Sequence, residues 1–392
     1  MDRARIYIEP LNIRARIAKP QPGGLPVINL GFNELPWPAT RKVQEAINRS
    51  ASKANVYGNP SCQLLRAAIA GRWGLNQEQV ICGNGSEELL DVIGRVFARS
   101  HDEILISEFG YIQFPIVSNR VGATLVKAPE TDYTTNVDAM LENVTDKTTL
   151  VFLANPNNPT GTMIDESELR RLLSSLPSTT VLVIDLAYGE FAGDNYCDAM
   201  HRLVSEFDNV IITRTFSKAY GLAGLRIGWL YAPQWMIPAL YAARGMGTVN
   251  AVAQAAAVAA IEDFESMRSR VKIIVEERER VQQRLSSMGV VVVASSANFV
   301  MAALDRADTD CADTDCAETD CSETDRGDLD RDHVLRDAES SADALTAHLY
   351  DDAGILVNQT REAGLEKFIR FSISIPEVND RLLSSIAEFV QR

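Results

Sequence analysis

From about residue 41 onward the chain alternates short, unbroken apolar runs with longer segments whose apolar residues recur at helical spacing. The runs are Gln79-Val80-Ile81-Cys82, Glu103-Ile104-Leu105-Ile106, Thr124-Leu125-Val126, Leu150-Val151-Phe152-Leu153, Val181-Leu182-Val183-Ile184 and Val210-Ile211-Ile212. Rich in β-branched residues and apolar at successive positions, they predict strands buried on both faces of a mostly parallel sheet, with helices in the connections. The expected fold class is α/β. Two helical stretches follow, 251–262 and 265–288, the second carrying Glu276, Glu277, Arg278, Glu279 and Arg280 on a solvated face. Beyond them the strand candidates are few and mixed, at 290–293, 298–302, 355–357 and 368–373, with a closing helix at 376–390; they predict a smaller α+β domain. Residues 1–40 lack strong periodicity and are rich in Pro and Gly, so they read as an extended arm of the kind that lies on another surface. The expected organisation is therefore an arm at 1–40, a large domain at 41–262 and a small domain at 263–392.

Composition changes this picture in one place. The chain of 392 residues is 46% hydrophobic and 23% charged, as an ordinary globular protein with two cores would be. No run approaches the roughly eighteen apolar residues of a membrane span, and the first thirty residues hold no unbroken apolar stretch of the secretory type, so a cytoplasmic location is the default expectation. The net charge of −15 is concentrated: residues 305–343 hold fifteen Asp/Glu and four Arg, which accounts for −11 of it. The remainder carries no concentration of Lys and Arg that would favour nucleic acid or an anionic membrane as a partner. Within that segment, residues 308–325 repeat a five-residue unit with Cys311, Cys316 and Cys321. So little apolar surface cannot offset the entropy of ordering, and the expectation is a disordered surface insertion at 305–343 within the small domain; a pentapeptide β-helix would need a large apolar residue where threonine stands. The cysteine spacing fits neither a disulfide framework nor a C-x₂-C zinc site, and no metal is expected.

The candidate chemistry starts at Lys218, in Thr215-Phe216-Ser217-Lys218-Ala219-Tyr220-Gly221-Leu222-Ala223-Gly224-Leu225-Arg226-Ile227-Gly228. A lysine just after an apolar run, with a glycine-punctuated stretch and an arginine eight residues on, suits an amine that must reach a cofactor aldehyde, the chemistry of pyridoxal 5'-phosphate (PLP). Alone, such a lysine is more often solvated. Two further features stand at strand ends, where ligands collect in parallel α/β sheets. Asn155-Pro156-Asn157-Asn158-Pro159-Thr160-Gly161 follows one run, and Asp185 ends another with Tyr188 three residues beyond. A buried carboxylate such as Asp185 can keep a pyridine nitrogen protonated. Asn158 and Tyr188 can donate to the ring's phenolate oxygen. Gly85-Ser86-Glu87 opening a helix, with Ser217 and Arg226, can hold a phosphate.

On these residues the chain resembles the fold-type I PLP enzymes of the class I/II aminotransferases, and within them it is most similar to histidinol-phosphate aminotransferases. The likeness runs through Gly31-Phe32-Asn33-Glu34-Leu35-Pro36, Tyr57-Gly58-Asn59-Pro60, Gly83-Asn84-Gly85-Ser86-Glu87-Glu88-Leu89, Tyr111, the 155–161 run, 185–191, the lysine segment, Ala297-Asn298-Phe299 and Ile369-Arg370-Phe371-Ser372-Ile373. It covers nearly all of the chain outside 305–343. The resemblance implies Lys218 as the Schiff-base lysine, Asp185 at the pyridine nitrogen, and Asn158 and Tyr188 at the phenolate. It implies Tyr111 stacked on the ring and Ser86, Glu87, Ser217 and Arg226 around the phosphate. Tyr57 would reach the neighbouring subunit's site in a homodimer. Arg370 would clamp the substrate α-carboxylate, with Asn33 and Asn358 also facing substrate.

The departures fall on the substrate side. Where the family commonly has a tyrosine before Pro-Gly in the arm and an arginine inside Ile-Leu-Val-Arg-Asp, this chain has Pro20 and Asn358, with Arg361 three residues later as a replacement. Asp185-Leu186-Ala187-Tyr188 stands for the family's Asp-Glu-Ala-Tyr. The expected activity is amino transfer between a donor, glutamate, and a keto acceptor that is histidinol-phosphate-like or a related amino acid's. The alternative is a PLP-dependent lyase similar to threonine-phosphate decarboxylases. A PLP-binding regulator would need a DNA-binding module, for which the chain has neither a spare domain nor a basic stretch.

Overall fold

The computed structural model describes residues 8, 26–193, 195–304 and 341–391. Pro20, most of the arm and the acidic repeat at 308–325 lie outside the described residues. The described chain divides into two compact units. The first contains 34–275 and 295–298; the second contains 26–33, 276–294, 299–304 and 341–391. The division falls inside the helix Phe264–Ser287 rather than at residue 262.

The first unit is built on a seven-stranded sheet of β1 (Val80–Gly83), β2 (Glu103–Ser107), β3 (Thr124–Ala128), β4 (Thr148–Ala154), β5 (Val181–Asp185), β6 (Val210–Thr215) and β7 (Gly228–Tyr231), with helices on both sides. Its order is β1-β7-β6-β5-β4-β2-β3. Neighbouring strands pair in parallel except at β7, which runs antiparallel to both β1 and β6. The continuous apolar runs become its core: Ile104, Ile106, Leu150, Phe152, Val183 and Ile211 are buried with Leu89, Val92 and Ile93 of the helix Ser86–Phe97. All six expected strands are present; five are extended at one or both ends and the first is shifted by one residue, to Val80–Gly83. Strand β7 was not foreseen, because Gly228-Trp229-Leu230-Tyr231 is short, lacks β-branched residues and follows glycine-rich turn sequence. The chain reverses into it through Arg226 in the left-handed region (φ 52).

The second unit is an α+β unit with a four-stranded sheet. Its strands are β8 (Val290–Val293), β9 (Phe299–Leu304), β10 (Asn358–Gln359) and β11 (Phe368–Ser372), in the antiparallel order β8-β9-β11-β10. The helical residues 341–351 and the helix Pro376–Val390 complete it. Part of the expected arm belongs here instead. Ile28–Asn29 pairs in parallel with Ile355–Leu356, and the Ser372 amide donates to the Leu30 carbonyl at 2.7 Å. A two-residue strand is too short for periodicity to reveal. Among the described residues no helix is long and apolar enough to cross a membrane.

Candidate functional site

In the first unit the parallel strands β4, β5 and β6 end side by side. Ala154 and Asp185 are paired in register, and so are Asp185 and Thr213. Side chains that leave the sheet at these three ends are therefore neighbours by construction, which is why ligand sites form at carboxyl edges.

Asp185 is the centre of this edge. It is 2% exposed, and its Oδ1 accepts a hydrogen bond from Thr213 Oγ1 at 3.1 Å. Burial pushes its carboxyl up to about 7, against the pull of hydrogen bonds from Thr213 and the Ala187 amide, with the charge of Glu87 raising it further. A carboxylate taken out of water in this way is costly as an anion unless a cation comes to it. After Asp185 the chain turns, and the Leu186 amide donates to the Thr213 carbonyl at 2.9 Å. That turn brings the Tyr188 ring 5.6 Å from Lys218 Nζ. Lys218 leaves β6 three residues past its end and is half-buried.

Opposite lies the entry of the helix Ser86–Phe97. Its cap, Gly85, has φ +84, and a Cβ there would stand 2.7 Å from Arg226 Nη2. A Cβ at Gly228 would meet the Ser86 amide at 2.5 Å. The two glycines thus let β7, the helix N-terminus and the arginine approach as closely as they do. Arg226 donates to Glu87 Oε2 at 3.0 Å and to Ser217 Oγ at 3.4 Å. Tyr111 donates its hydroxyl to Glu87 Oε1 at 2.8 Å. Its ring is held edge-on by Phe114, which stacks on Phe152 of β4 with centroids 4.9 Å apart. Burial, then the charge of Glu87 and the nearness of Tyr188 and Asp185, keep the Tyr111 hydroxyl well above its ordinary pKa. Ser86 is buried as the first residue of its helix. Asn158 is half-buried in the turn that leaves β4. Neighbouring Asn155 fixes that turn: its side chain donates to the Ile164 carbonyl at 2.8 Å and accepts from the Ile164 amide at 2.9 Å.

The first unit therefore gathers Lys218, Asp185, Tyr188, Tyr111, Ser86, Glu87, Ser217 and Arg226, with Asn158 on the same sheet edge. Tyr57 is 102% exposed in this chain. The second unit holds the expected substrate residues. Arg370 is buried on β11, donates to the Gly31 carbonyl at 2.9 Å and sits 5.3 Å from the Phe299 ring centroid. Asn358 is its register partner on β10. Asn33 is buried, with φ 56, and its amide donates to Ser372 Oγ at 2.8 Å. Arg361, the foreseen replacement for an arginine at 358, donates to Gln359 at 2.8 Å and lies 3.5 Å from Asp343.

Sequence reasoning missed Thr213, Glu190 and Arg214. Thr213 and Arg214 stand inside the Val210–Thr215 strand, where polar residues in a fully buried run were the available signal. Glu190 ion-pairs with Arg214 at 2.5 Å.

These residues fit PLP. The buried Asp185 calls for a cation, which a protonated pyridine nitrogen supplies. Arg226, Ser217 and Ser86 at a helix N-terminus are groups that could hold an oxyanion, and the Glu87 carboxylate accepts a hydrogen bond from Arg226.

The family described as Aminotransferase class I and II matches residues 26–386. The histidinol-phosphate aminotransferase of Rhodospirillum centenum (strain ATCC 51521 / SW) is 34% identical over 371 residues, covering 94% of this chain and 93% of its own. That of Maricaulis maris (strain MCS10) is 42% identical over 274 residues, covering 70% of this chain and 76% of its own. Among solved structures, the histidinol-phosphate aminotransferase of Sinorhizobium meliloti in complex with pyridoxal-5'-phosphate superposes with a TM-score of 0.80 at 27% identity, covering 93% and 91% of the two chains. Relatives at this identity are named as aminotransferases, which leaves the decarboxylase alternative with less support. The chain belongs to the class I and II aminotransferase family and is a PLP-dependent aminotransferase of fold type I.

Proposed function

We propose that this chain moves an amino group between glutamate and a keto acceptor of the histidinol-phosphate type, with its own residues in the following roles. PLP, when bound, supplies the electron sink for bonds at the substrate α-carbon. Lys218 would hold the cofactor through its ε-amine, and the same amine would serve as the carrier of the α-proton. Asp185 holds the pyridine nitrogen as a cation, with Thr213 orienting the carboxylate. Tyr188 and Asn158 would donate to the phenolate, and Tyr111 would stack on the ring. Ser86, Ser217 and Arg226 hold the phosphate, together with the amides at the start of the helix that bears Glu87. Arg370 would take the substrate α-carboxylate with its planar fork, with Asn33 and Asn358 also facing substrate.

The observation that carries this reading is the buried Asp185 carboxyl beside Tyr188 and Lys218 at one sheet edge. The histidinol-phosphate side of the pair is supported by the names of the relatives, and glutamate as donor is the expectation from the sequence resemblance. Asn358 in place of the family's arginine weakens the hold on a substrate phosphate. A panel of donors and acceptors, with phosphorylated and unphosphorylated forms of one substrate, tests it: glutamate with the phosphorylated acceptor should give the highest kcat/KM. A preference for unphosphorylated aromatic acceptors would overturn the substrate and leave the reaction type standing. A homodimer is part of the proposal, because Tyr57 is fully exposed in one copy and the family places it in a neighbour's site. Sedimentation should find a dimer; a fully active monomer would contradict it.

A further inference from the structure

Strand β6 carries an arginine between Thr213 and Thr215, and by strand alternation its side chain leaves on the face opposite the Thr213 hydroxyl that serves Asp185. Arg214 is 1% exposed. Its guanidinium carbon lies 4.7 Å from the Trp73 ring centroid and 5.3 Å from that of Trp229. Nη2 donates to Glu190 Oε1 at 2.5 Å, and Nη1 lies 3.3 Å from His201 Nε2. Burial, reinforced by the charge of Arg214, holds His201 well below its ordinary pKa, so its neutral ring accepts from the arginine. Around the pair, Arg214 Nε, His201 Nδ1 and the Tyr220 hydroxyl are buried with no hydrogen-bond partner among the described residues. Taking two charges out of water and leaving polar atoms unsatisfied is a poor route to stability, since apolar residues of equal volume would serve as well or better. The arrangement calls for another explanation.

Its place in the chain supplies one. Glu190 belongs to the short turn Gly189–Phe191 that follows Tyr188. The stretch from Leu186 to Glu190 is tied to β6 at both ends: by the Leu186 amide on the Thr213 carbonyl and by the Glu190 carboxylate on Arg214. Tyr188 falls between the two ties, and Lys218 follows β6. We infer that the Glu190–Arg214 ion pair is a positioning device, which pins the turn bearing Tyr188 to the strand leading into Lys218 and so fixes the tyrosine hydroxyl at the cofactor ring. The inference rests on the roles proposed above for Tyr188 and Lys218.

A double-mutant cycle tests it on the PLP-loaded enzyme. E190Q/R214M removes both charges together and avoids an unpaired buried ion. It should lower kcat about tenfold with little change in donor KM, and it should move the pH midpoint of the lysine–cofactor absorption band. In a Tyr188→Phe background the same pair of substitutions should change neither quantity further. If E190Q/R214M does not keep a cooperative melt, Arg214→Lys, which keeps the charge but not the fork, goes through the same cycle. Effects that add independently of Tyr188 overturn the inference, as does a lowered melting temperature with unchanged spectrum and kcat. The site reading itself fails in a different way: Tyr188→Phe alone would leave the absorption band and its pH midpoint untouched.

Discussion

The two compact units build their candidate site groups by different means. In the first, Asp185 ends a strand and Lys218, Tyr188 and Asn158 each follow a strand end by no more than four residues, on three adjacent parallel strands. Their mutual positions are set by backbone pairing and buried apolar packing. In the second, Arg370 stands within a strand, with Met301 and Asn358 as its register partners and the Gly31 carbonyl on its guanidinium. Its surroundings come from three segments far apart in the chain, and several are side chains whose exchange leaves the backbone pairing intact. The contrast separates two jobs. On the roles proposed above, the groups for cofactor chemistry are set by the sheet's backbone pairing, whereas those for substrate recognition are side chains such as Asn358 that single substitutions can change.

The contrast is sharpest at Lys218. Lys218→Ala should lower kcat by on the order of 10⁴-fold in single-turnover assays, because both the attachment point and the proton carrier go at once. A loss below tenfold would mean that another amine does the work. Asp185→Asn should be next, with a fall of about 10²–10³-fold in kcat and little change in donor KM, since its charge acts on the developing carbanion and not on substrate capture. In the second unit the pattern should reverse. Arg370→Lys should raise KM for every α-carboxylate substrate and cost about 10- to 100-fold in kcat/KM, the worth of a bidentate charged contact. A kcat defect with unchanged KM would break the comparison.

Smaller effects refine it. Asn358→Arg restores a cation at that register position and should shift the ratio of kcat/KM for phosphorylated over unphosphorylated substrate upward by about tenfold. No shift would place phosphate recognition elsewhere. The smallest expected effect is on the cofactor-free protein. Its Asp185 carboxyl, pushed up to about 7, binds a proton more tightly folded than unfolded. That contribution to stability is complete below about pH 4 and is lost as pH rises through about 7. Urea unfolding should therefore show the cofactor-free wild type losing stability relative to Asp185→Asn across that window, whereas a constant difference would argue against a buried, proton-binding carboxyl.

How much of this was legible beforehand follows the same division. The strand-end residues of the first unit could be placed because each lies within a few residues of an apolar run that the hydrophobic pattern marks. Strand β7 escaped because a four-residue strand after a glycine-rich turn carries no period. The Glu190–Arg214 pair escaped because two residues 24 apart in sequence meet only after β5 and β6 pair. The second unit was legible as elements but not as a site. Arg370 could be placed on a strand, yet the Gly31 carbonyl that receives it lies 339 residues away, and the short pairing of Ile28–Asn29 with Ile355–Leu356 has no local signature.

The most direct test of the central claim is borohydride reduction of the PLP-loaded protein, followed by digestion and peptide mapping. Reduction makes the bond between lysine and cofactor permanent, so the pyridoxyl mass should sit on the peptide containing Lys218 and should disappear in Lys218→Ala. A label on a different lysine, or no label on protein that has taken up the cofactor, would contradict the account.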